Sequence, residues 1–463
     1  MSADPAASDD AVPGVVDAIT GVVKDHDVVK VALTLLGVYA IFIGVLFVSQ
    51  PEGVSLKNAV ANRLRFVTFL AAVYVLVTLA LNLHWGYTGL FNIGVAGFMA
   101  VGVYTMAILT RPIDPLTGPP GMGLPLWVGV VAGMVVAAVV GLVAALPALR
   151  LRADYFAIVT LAISEIIRLS LQSTFLDSVL LDYAGVGTNG GSGIRVPVSP
   201  DDPIHKLFVN GGNIANGPTA LGGLFLREVG NTLMFVPPLL GESAALPAKT
   251  FLDLMYVAFL GLVVLAFYVF LNRVGRSPFG RVLKAIRGDE LVADSLGKNV
   301  DVAKIKVFMI GCSLMGLAGI LWMGSQGTVS PTPQFRPNIT FFVFVAMMLG
   351  GAGSNTGSVL GGIVFAGVLF EAPRRLGQLI GTGDAKPAHF AEAVSALGGG
   401  NIGPFLAYVA DGIAALQFVL LGVVLILLMY RKPEGLLGHR VEEASAVDLK
   451  QRPTATDGGD TDE

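Results

Sequence analysis

The chain has 463 residues, of which 54% are hydrophobic and only 14% charged, with a mean hydropathy of +0.73. Soluble globular proteins carry about 25% charged residues, so these values exclude an ordinary soluble domain and imply an integral membrane protein. The net charge of −3 offers nothing to a nucleic acid, and the single cysteine, Cys312, excludes an intrachain disulfide or a thiolate metal cluster.

In chain order, an acidic tail (1–27) comes first. Residues 1–23 hold no Lys or Arg, so the first apolar stretch is expected to be a retained span, not a cleaved signal. Ten apolar stretches follow, at 28–48, 66–83, 91–109, 126–149, 155–172, 252–272, 305–323, 339–351, 357–372 and 405–430. A helix crossing the hydrocarbon needs about 20 residues, and most qualify. The expected fold class is therefore all-α, a polytopic bundle of about ten spans occupying 28–430. The pair 339–351 and 357–372 is short and divided by GGAGSNTG (350–357), the pattern of a re-entrant or broken helix, or of two short helices with a tight turn. A second acidic tail, 431–463, closes the chain, and the acidic ends suit a high-salt cell or serve simply as solubilising termini.

Basic residues set the orientation. The segment 273–304 is the most basic in the chain and is expected on the cytoplasmic side, in agreement with Arg150, Arg152, Arg431, Lys432 and Arg440. Both termini then lie inside. Lys57, Arg63, Arg374 and Arg375 fall outside, against the rule. The longest region between spans, 173–251, faces outward, rich in Gly, Asn and Pro, with an apolar patch over 221–240.

The basic loop reads GRSPFGRVLKAIRGDELVADSLGKNVDVAKIK from 275 to 306. Phe279, Val282, Leu283 and Ile286 share one face of a helical wheel, while Arg281, Lys284 and Arg287 lie on the other. That is a short surface helix with one apolar and one cationic face, suited to docking another protein. Within the apolar run at 155–172, Glu165 and Arg168 stand three apart on one helix face. Charges in lipid pair or face a cavity, so they are either a packing ion pair or polar contacts along a path. Gly353, Gly357 and Gly361 form a small-residue ridge for helix packing, or a flexible gate. SQGTVSPTPQFRPN (325–338) carries three prolines and cannot be helical throughout. Asn338-Ile339-Thr340 matches a glycosylation sequon but abuts a membrane boundary.

No G-x-x-x-x-G-K-[ST], HExxH or G-x-S-x-G is present, and the histidines at 26, 84, 205, 389 and 439 lack metal-ligand spacing. The chain is thus expected to be no enzyme, to bind no metal and to hold no ATP itself. The glycine clusters at 185–193 and 350–357 lack the strand-turn-helix setting of a nucleotide fold.

Four stretches together resemble the LivM-type permease subunit of branched-chain amino acid ABC importers. They are GYTGLFNIGVAGFMAVGVYTMAIL (86–109), LRLRADYFAIVTLAISEIIRL (149–169), the basic loop with the helix after it (275–322), and FVAMMLGGAGSNTGSVLGGIVF (344–365). The loop is the most specific of them. Its Glu290 and Gly297 resemble the ATPase-contacting loop of such permeases, although Glu290-Leu291-Val292 reaches Gly297 one residue later than the general pattern. The resemblance implies a lipid-embedded permease working with a second, LivH-like permease subunit, two ATP-binding subunits that hydrolyse ATP, and an extracytoplasmic amino-acid-binding protein. It implies uptake of leucine, isoleucine or valine, with urea or short amides as a close alternative. An ion-coupled secondary transporter using Glu165, or a scaffold without transport, are the other readings. On the importer reading Phe279, Leu283 and Ile286 fill a groove on the ATPase, Arg281 and Arg287 pair with its acids, and Glu290 and Gly297 complete the contact. Asn92, Thr160, Glu165, Arg168, Gly350, Gly351 and Gly353 are the residues expected along the translocation path.

Overall fold

The computed structural model describes residues 27–48, 56–114, 118–148, 153–212, 216–224, 248–373, 387, 389–398, 401–432 and 434–437. Both acidic tails except Asp27, Arg431, Lys432 and 434–437, most of the 221–240 patch, and Arg150, Arg152, Arg374, Arg375 and Arg440 lie outside the described residues.

Each of the ten apolar stretches contains a helix. α1 (Asp27–Val48), α2 (Leu56–Leu81), α3 (Val95–Thr110), α4 (Leu126–Ala148) and α5 (Ala153–Gln172) come first. α6 (Thr174–Ala184) and α7 (Asp202–Phe208) follow in the long outer region. α8 (Ala248–Arg276), α9 (Pro278–Gly288), α10 (Glu290–Ser295) and α11 (Val300–Met323) contain the basic loop. α12 (Pro331–Gln334), α13 (Pro337–Gly350), α14 (Asn355–Val364), α15 (Phe390–Gly398) and α16 (Gly403–Arg431) come last. Among them six are long and apolar enough to cross a membrane alone, and the α12–α13 stretch with the helix after it adds a seventh if taken as one broken span. Of the other expected spans, α16 has 29 residues but is counted only over the part whose side chains are described, Leu421–Arg431, and the rest are short. α3 has 16 residues, and α13 and α14 have 14 and 10.

α2 and α11 form the centre of the bundle, with 83% and 78% of their spanning residues buried, whereas in α1, α4, α5 and α8 only 17%, 33%, 22% and 28% are buried. Close approach there needs glycine. A Cβ on Gly102 of α3 would fall 2.5 Å from the Cα and carbonyl O of Gly316 in α11. α12–α13 and α14 with its π-helical continuation Phe365–Glu371 turn through 120° at 350–354. A Cβ on Gly350 would lie 1.9 Å from the Gly357 carbonyl O, and one on Gly361 would lie 2.0 Å from that of Ala346. Gly357 and Gly361 therefore pack this hairpin, while Gly353 sits in its turn with φ +95°.

Outside the bundle, 173–212 is folded. Ser173 caps α6, Gly185 ends it in the left-handed region, and Asp177 Oδ1 accepts from the amides of Thr188 and Asn189 at 2.6 and 2.9 Å. Strand β1 (Ile194–Arg195) pairs antiparallel with β2 (Thr328–Val329), joining this region to the proline-rich stretch. That stretch breaks into a 3-10 turn, β2 and α12, as its prolines require.

Candidate functional site

The basic loop builds a two-helix hook. Ser277 Oγ accepts from Gly280 N at 3.1 Å and Pro278 opens α9. Asp289 Oδ1 then accepts from Leu291 N and Val292 N at 2.9 and 3.1 Å, capping α10. Gly297 ends α10 with φ +75°, and Lys298 N returns to Ala293 O at 3.2 Å.

The amphipathic reading of α9 holds, but its faces point the other way. Leu283 and Ile286 are buried, and Phe279 is half-buried against the bundle core. Those three side chains therefore pack into this chain and do not offer themselves to a partner. Arg287 also turns inward. Its Nη1 donates to the carbonyl of Gly86, and burial lowers its pKa below the usual arginine value. Lys284 Nζ lies 5.9 Å from the Tyr87 ring centroid. Of the cationic face, Arg281 stays exposed. Glu290 is held within the chain by Lys304, Oε1 to Nζ 2.5 Å. What faces outward instead is the tip of α10: Leu291 and Leu296 are 79% and 72% exposed, with Val292 beside them. A cleft lined by Glu290, Leu291, Asp294, Gly297, Lys298 and Asp301 adjoins this tip. The sequence signal was present, three apolar residues in an otherwise polar stretch, but the helical wheel of α9 drew attention from it.

Above the hook the backbone leaves helical form inside the membrane. α2 continues as a π-helical turn, Asn82–Gly86, and a last helical pair, Tyr87 and Thr88, and the chain then runs unwound through 89–94 before α3. Gly97, in the first turn of α3, packs on Ser164 of α5. Ser164 is eleven residues from Ala153 (164 − 153 = 11), or about 16 Å along the helix. The link thus climbs from the basic end to mid-membrane. Irregular backbone is tolerated at that depth only when its polar groups are satisfied within the protein.

They are satisfied by residues distant in sequence. His84 Nε2 donates to Phe308 O at 3.1 Å, and its Nδ1 accepts from Asn92 Nδ2 at 3.1 Å, an arrangement that fits one ring proton on Nε2. Asn92 Oδ1 accepts from Gly94 N at 2.8 Å. Thr160 Oγ1 accepts from Ile93 N at 3.0 Å, and Thr340 Oγ1 accepts from Ala96 N at 3.2 Å. Asn82 Oδ1 accepts from Gly353 N at 2.8 Å while its Nδ2 donates to Asn355 Oδ1 at 3.0 Å. Asn355 Nδ2 passes the chain on to Asn272 Oδ1 at 2.7 Å. The link and the 350–354 turn are therefore one hydrogen-bonded assembly.

Asn92 and Thr160 are fully buried. They do not face an open path in this chain, because their hydrogen bonds are committed to holding the link. Gly350, Gly351 and Gly353 lie at the hairpin turn, tied to Asn82 and to the tail, where Leu437 N donates to Gly350 O at 3.0 Å. Thr340 has a structural role in place of a sequon's. The sequence reading missed His84, Asn82, Asn272 and Asn355. Their signal was polar residues at the ends of apolar runs.

Replacing Asn92 with Leu leaves Gly94 N and His84 Nδ1 without their partners. Each lost partner costs about 1–3 kcal/mol, so a clear fall in the thermal midpoint of the detergent-solubilised protein is expected. A midpoint equal to the unaltered chain's would contradict the assigned network.

Glu165 and Arg168 stand apart from this assembly. They form a two-pronged ion pair on α5, and Arg168 also donates to Gln172 Oε1 at 3.4 Å. The Glu165 side chain remains 35% exposed, on the same outward stripe as Tyr155, Ile158, Ile166 and Leu169.

A family model described as branched-chain amino acid transport system / permease component matches residues 62–372, which include the link, α5, the hook and the hairpin. The chain is 31% identical over 310 residues to the high-affinity branched-chain amino acid transport system permease protein LivM of Salmonella typhimurium, covering 67% of this chain and 62% of that protein. It therefore spans less than two thirds of that relative's length. It is 25% identical over 395 residues to the probable LivM of Methanocaldococcus jannaschii, covering 80% of this chain and 91% of the relative. A shorter match, 31% over 108 residues, joins it to the permease protein LivH of Salmonella typhimurium, covering 23% and 33% of the two chains. No solved structure matches. The chain is a multi-pass membrane protein belonging to the branched-chain amino acid transport permease family.

Proposed function

We propose that this chain is one permease subunit of an ATP-driven importer of leucine, isoleucine and valine, paired with a second, LivH-like permease. Two ATP-binding subunits would dock at the basic end and an extracytoplasmic binding protein would deliver the amino acid. The chain itself performs no covalent chemistry and binds no nucleotide; its partners hydrolyse ATP. The observation that carries this reading is the α10 tip. Three large apolar side chains, Leu291, Val292 and Leu296, have no reason to face water unless another protein covers them.

The docking residues become Leu291, Val292, Leu296 and Arg281, with Gly297 fixing the turn behind them and Glu290 held in place by Lys304. The translocation path lies along the outward face of α5. A half-exposed carboxylate about 18 Å into a spanning helix is costly against lipid and is suited to a hydrated path shared with the second permease.

The test is uptake of radiolabelled leucine into proteoliposomes holding the complete assembly with ATP on the hook side, challenged with excess isoleucine, valine or urea. Competition by the branched amino acids and none by urea is expected. Urea competition would assign a short-amide solute. Uptake that persists without ATP and collapses with an ionophore would instead make the chain a secondary transporter.

A further inference from the structure

Three contacts join α9 to the helix end before the unwound link and to the first residue of the link itself. Arg287 Nη1 donates to the Gly86 carbonyl, the last of the π-helical turn. The Arg287 stem lies against Gly89, where a Cβ would stand 3.6 Å from Arg287 Cγ. Lys284 covers the Tyr87 ring. The other flank of Gly86 meets the hairpin turn, since a Cβ there would be 2.7 Å from Gly353 N. Asn82, four residues earlier, holds Gly353 N and Asn355. Gly86 is thus the point at which the hook, the link and the hairpin meet.

A carbonyl at the end of a helix has no partner within that helix and needs a donor from elsewhere. A planar guanidinium on a helix that packs its apolar face into the bundle meets that need rigidly. The tip of α10 and Arg281, by contrast, are exposed. The two ends of the hook are therefore set up for different work, outward docking by α10 and inward grip by the last turn of α9.

We infer that Arg287 is a positioning residue that fastens the helical end at 86–88, and with it the 89–94 link, to α9, so that hook and link move as one body and carry the 350–354 turn with them. This rests on the importer reading above. It makes the unwound link the element through which a push on the hook reaches mid-membrane. It also removes Arg287 from the docking surface, where its position on the helical wheel had put it.

The experiment uses the complete assembly in proteoliposomes with radiolabelled leucine. Arg287→Ala, Arg287→Lys and Arg281→Glu are each scored for co-purified ATP-binding subunit, ATP hydrolysis and uptake per assembly. Arg287→Ala is expected to retain the ATP-binding subunit and hydrolysis within twofold while uptake falls at least tenfold. Arg287→Lys, which keeps a cationic donor for the Gly86 carbonyl, is expected to recover uptake to within threefold. Arg281→Glu is expected to lose the ATP-binding subunit. A mere helix cap would lower assembly yield without lowering uptake per assembly. Uptake by Arg287→Ala within twofold of the unaltered protein overturns the inference, as does loss of the ATP-binding subunit.

Should Arg287→Ala fail to fold, Tyr87→Cys with Lys284→Cys on a Cys312→Ala background decides the matter. Joined by a short thiol-reactive linker, the pair is expected to keep more than half of its uptake, because the two elements move together. Loss of uptake on joining, reversed by a thiol reductant, overturns the inference. Absence of ATP-driven uptake by the unaltered assembly is the distinct outcome that defeats the importer reading and this inference with it.

Discussion

Replacing Leu291 and Leu296 together with aspartate is expected to abolish ATP-driven uptake while leaving the chain folded and inserted. Both side chains stand mostly in solvent, 79% and 72% exposed, so the free chain loses little. Exposed substitutions usually change stability by about 0.5 kcal/mol or less. Burying one leucine against a partner is worth about 1.5–3 kcal/mol. Two such contacts amount to about 3–6 kcal/mol, and a factor of ten in affinity is 1.4 kcal/mol. The variant should therefore bind its ATP-binding subunit about a hundredfold or more weakly, read by co-purification and by uptake. Leu283 provides the contrast. It is fully buried, and Leu283→Ala is expected to cost about 2–5 kcal/mol of the chain's own stability. A thermal-shift measurement separates the two effects. Equal uptake by the double aspartate variant would move the docking surface away from α10.

Neutralising Glu165 alone is expected to lower uptake at least tenfold, and neutralising Arg168 as well is not expected to restore it. Glu165→Gln leaves the Arg168 guanidinium without its two-pronged partner within the spanning segment. An unpaired charge at that depth is costly, so the single variant is expected to yield less folded protein. Glu165→Gln with Arg168→Gln removes both charges and should recover the yield. A pair serving packing alone would then transport normally. The path reading requires that uptake per folded molecule remain low in the double variant. Surface yield and leucine uptake measured together decide between them, and full recovery of both would make the pair a packing element only.

The spans could be read from the sequence because about twenty apolar residues in succession have few alternatives to a membrane helix. α1, α4 and α5 begin and end within two residues of the apolar stretches. The break at 350–354 was legible for the same reason, since glycines and two short runs leave no room for a straight span. The sidedness of α9 was not. Periodicity states that Phe279, Leu283 and Ile286 share a face, but it cannot state what covers that face. Here the bundle itself covers it, through α8 and α11. The buried polar assembly was hidden for a different cause. Asn82 meets Asn355, 273 positions away, and His84 meets Phe308, 224 positions away. No local pattern records such pairings. Nor does local sequence show that α2 passes into a π-helical turn, or that the chain stays unwound as far as 94, because 91–94 reads as the start of the next apolar run.

The most direct measurement places a photo-crosslinking side chain at position 291 or 296 and irradiates native membranes. The account predicts capture of an ATP-binding subunit from those two positions, and none from position 283, whose side chain is enclosed by its own bundle. Irradiation that never traps an ATP-binding subunit from 291 or 296 would contradict it, for then no motor works this hook.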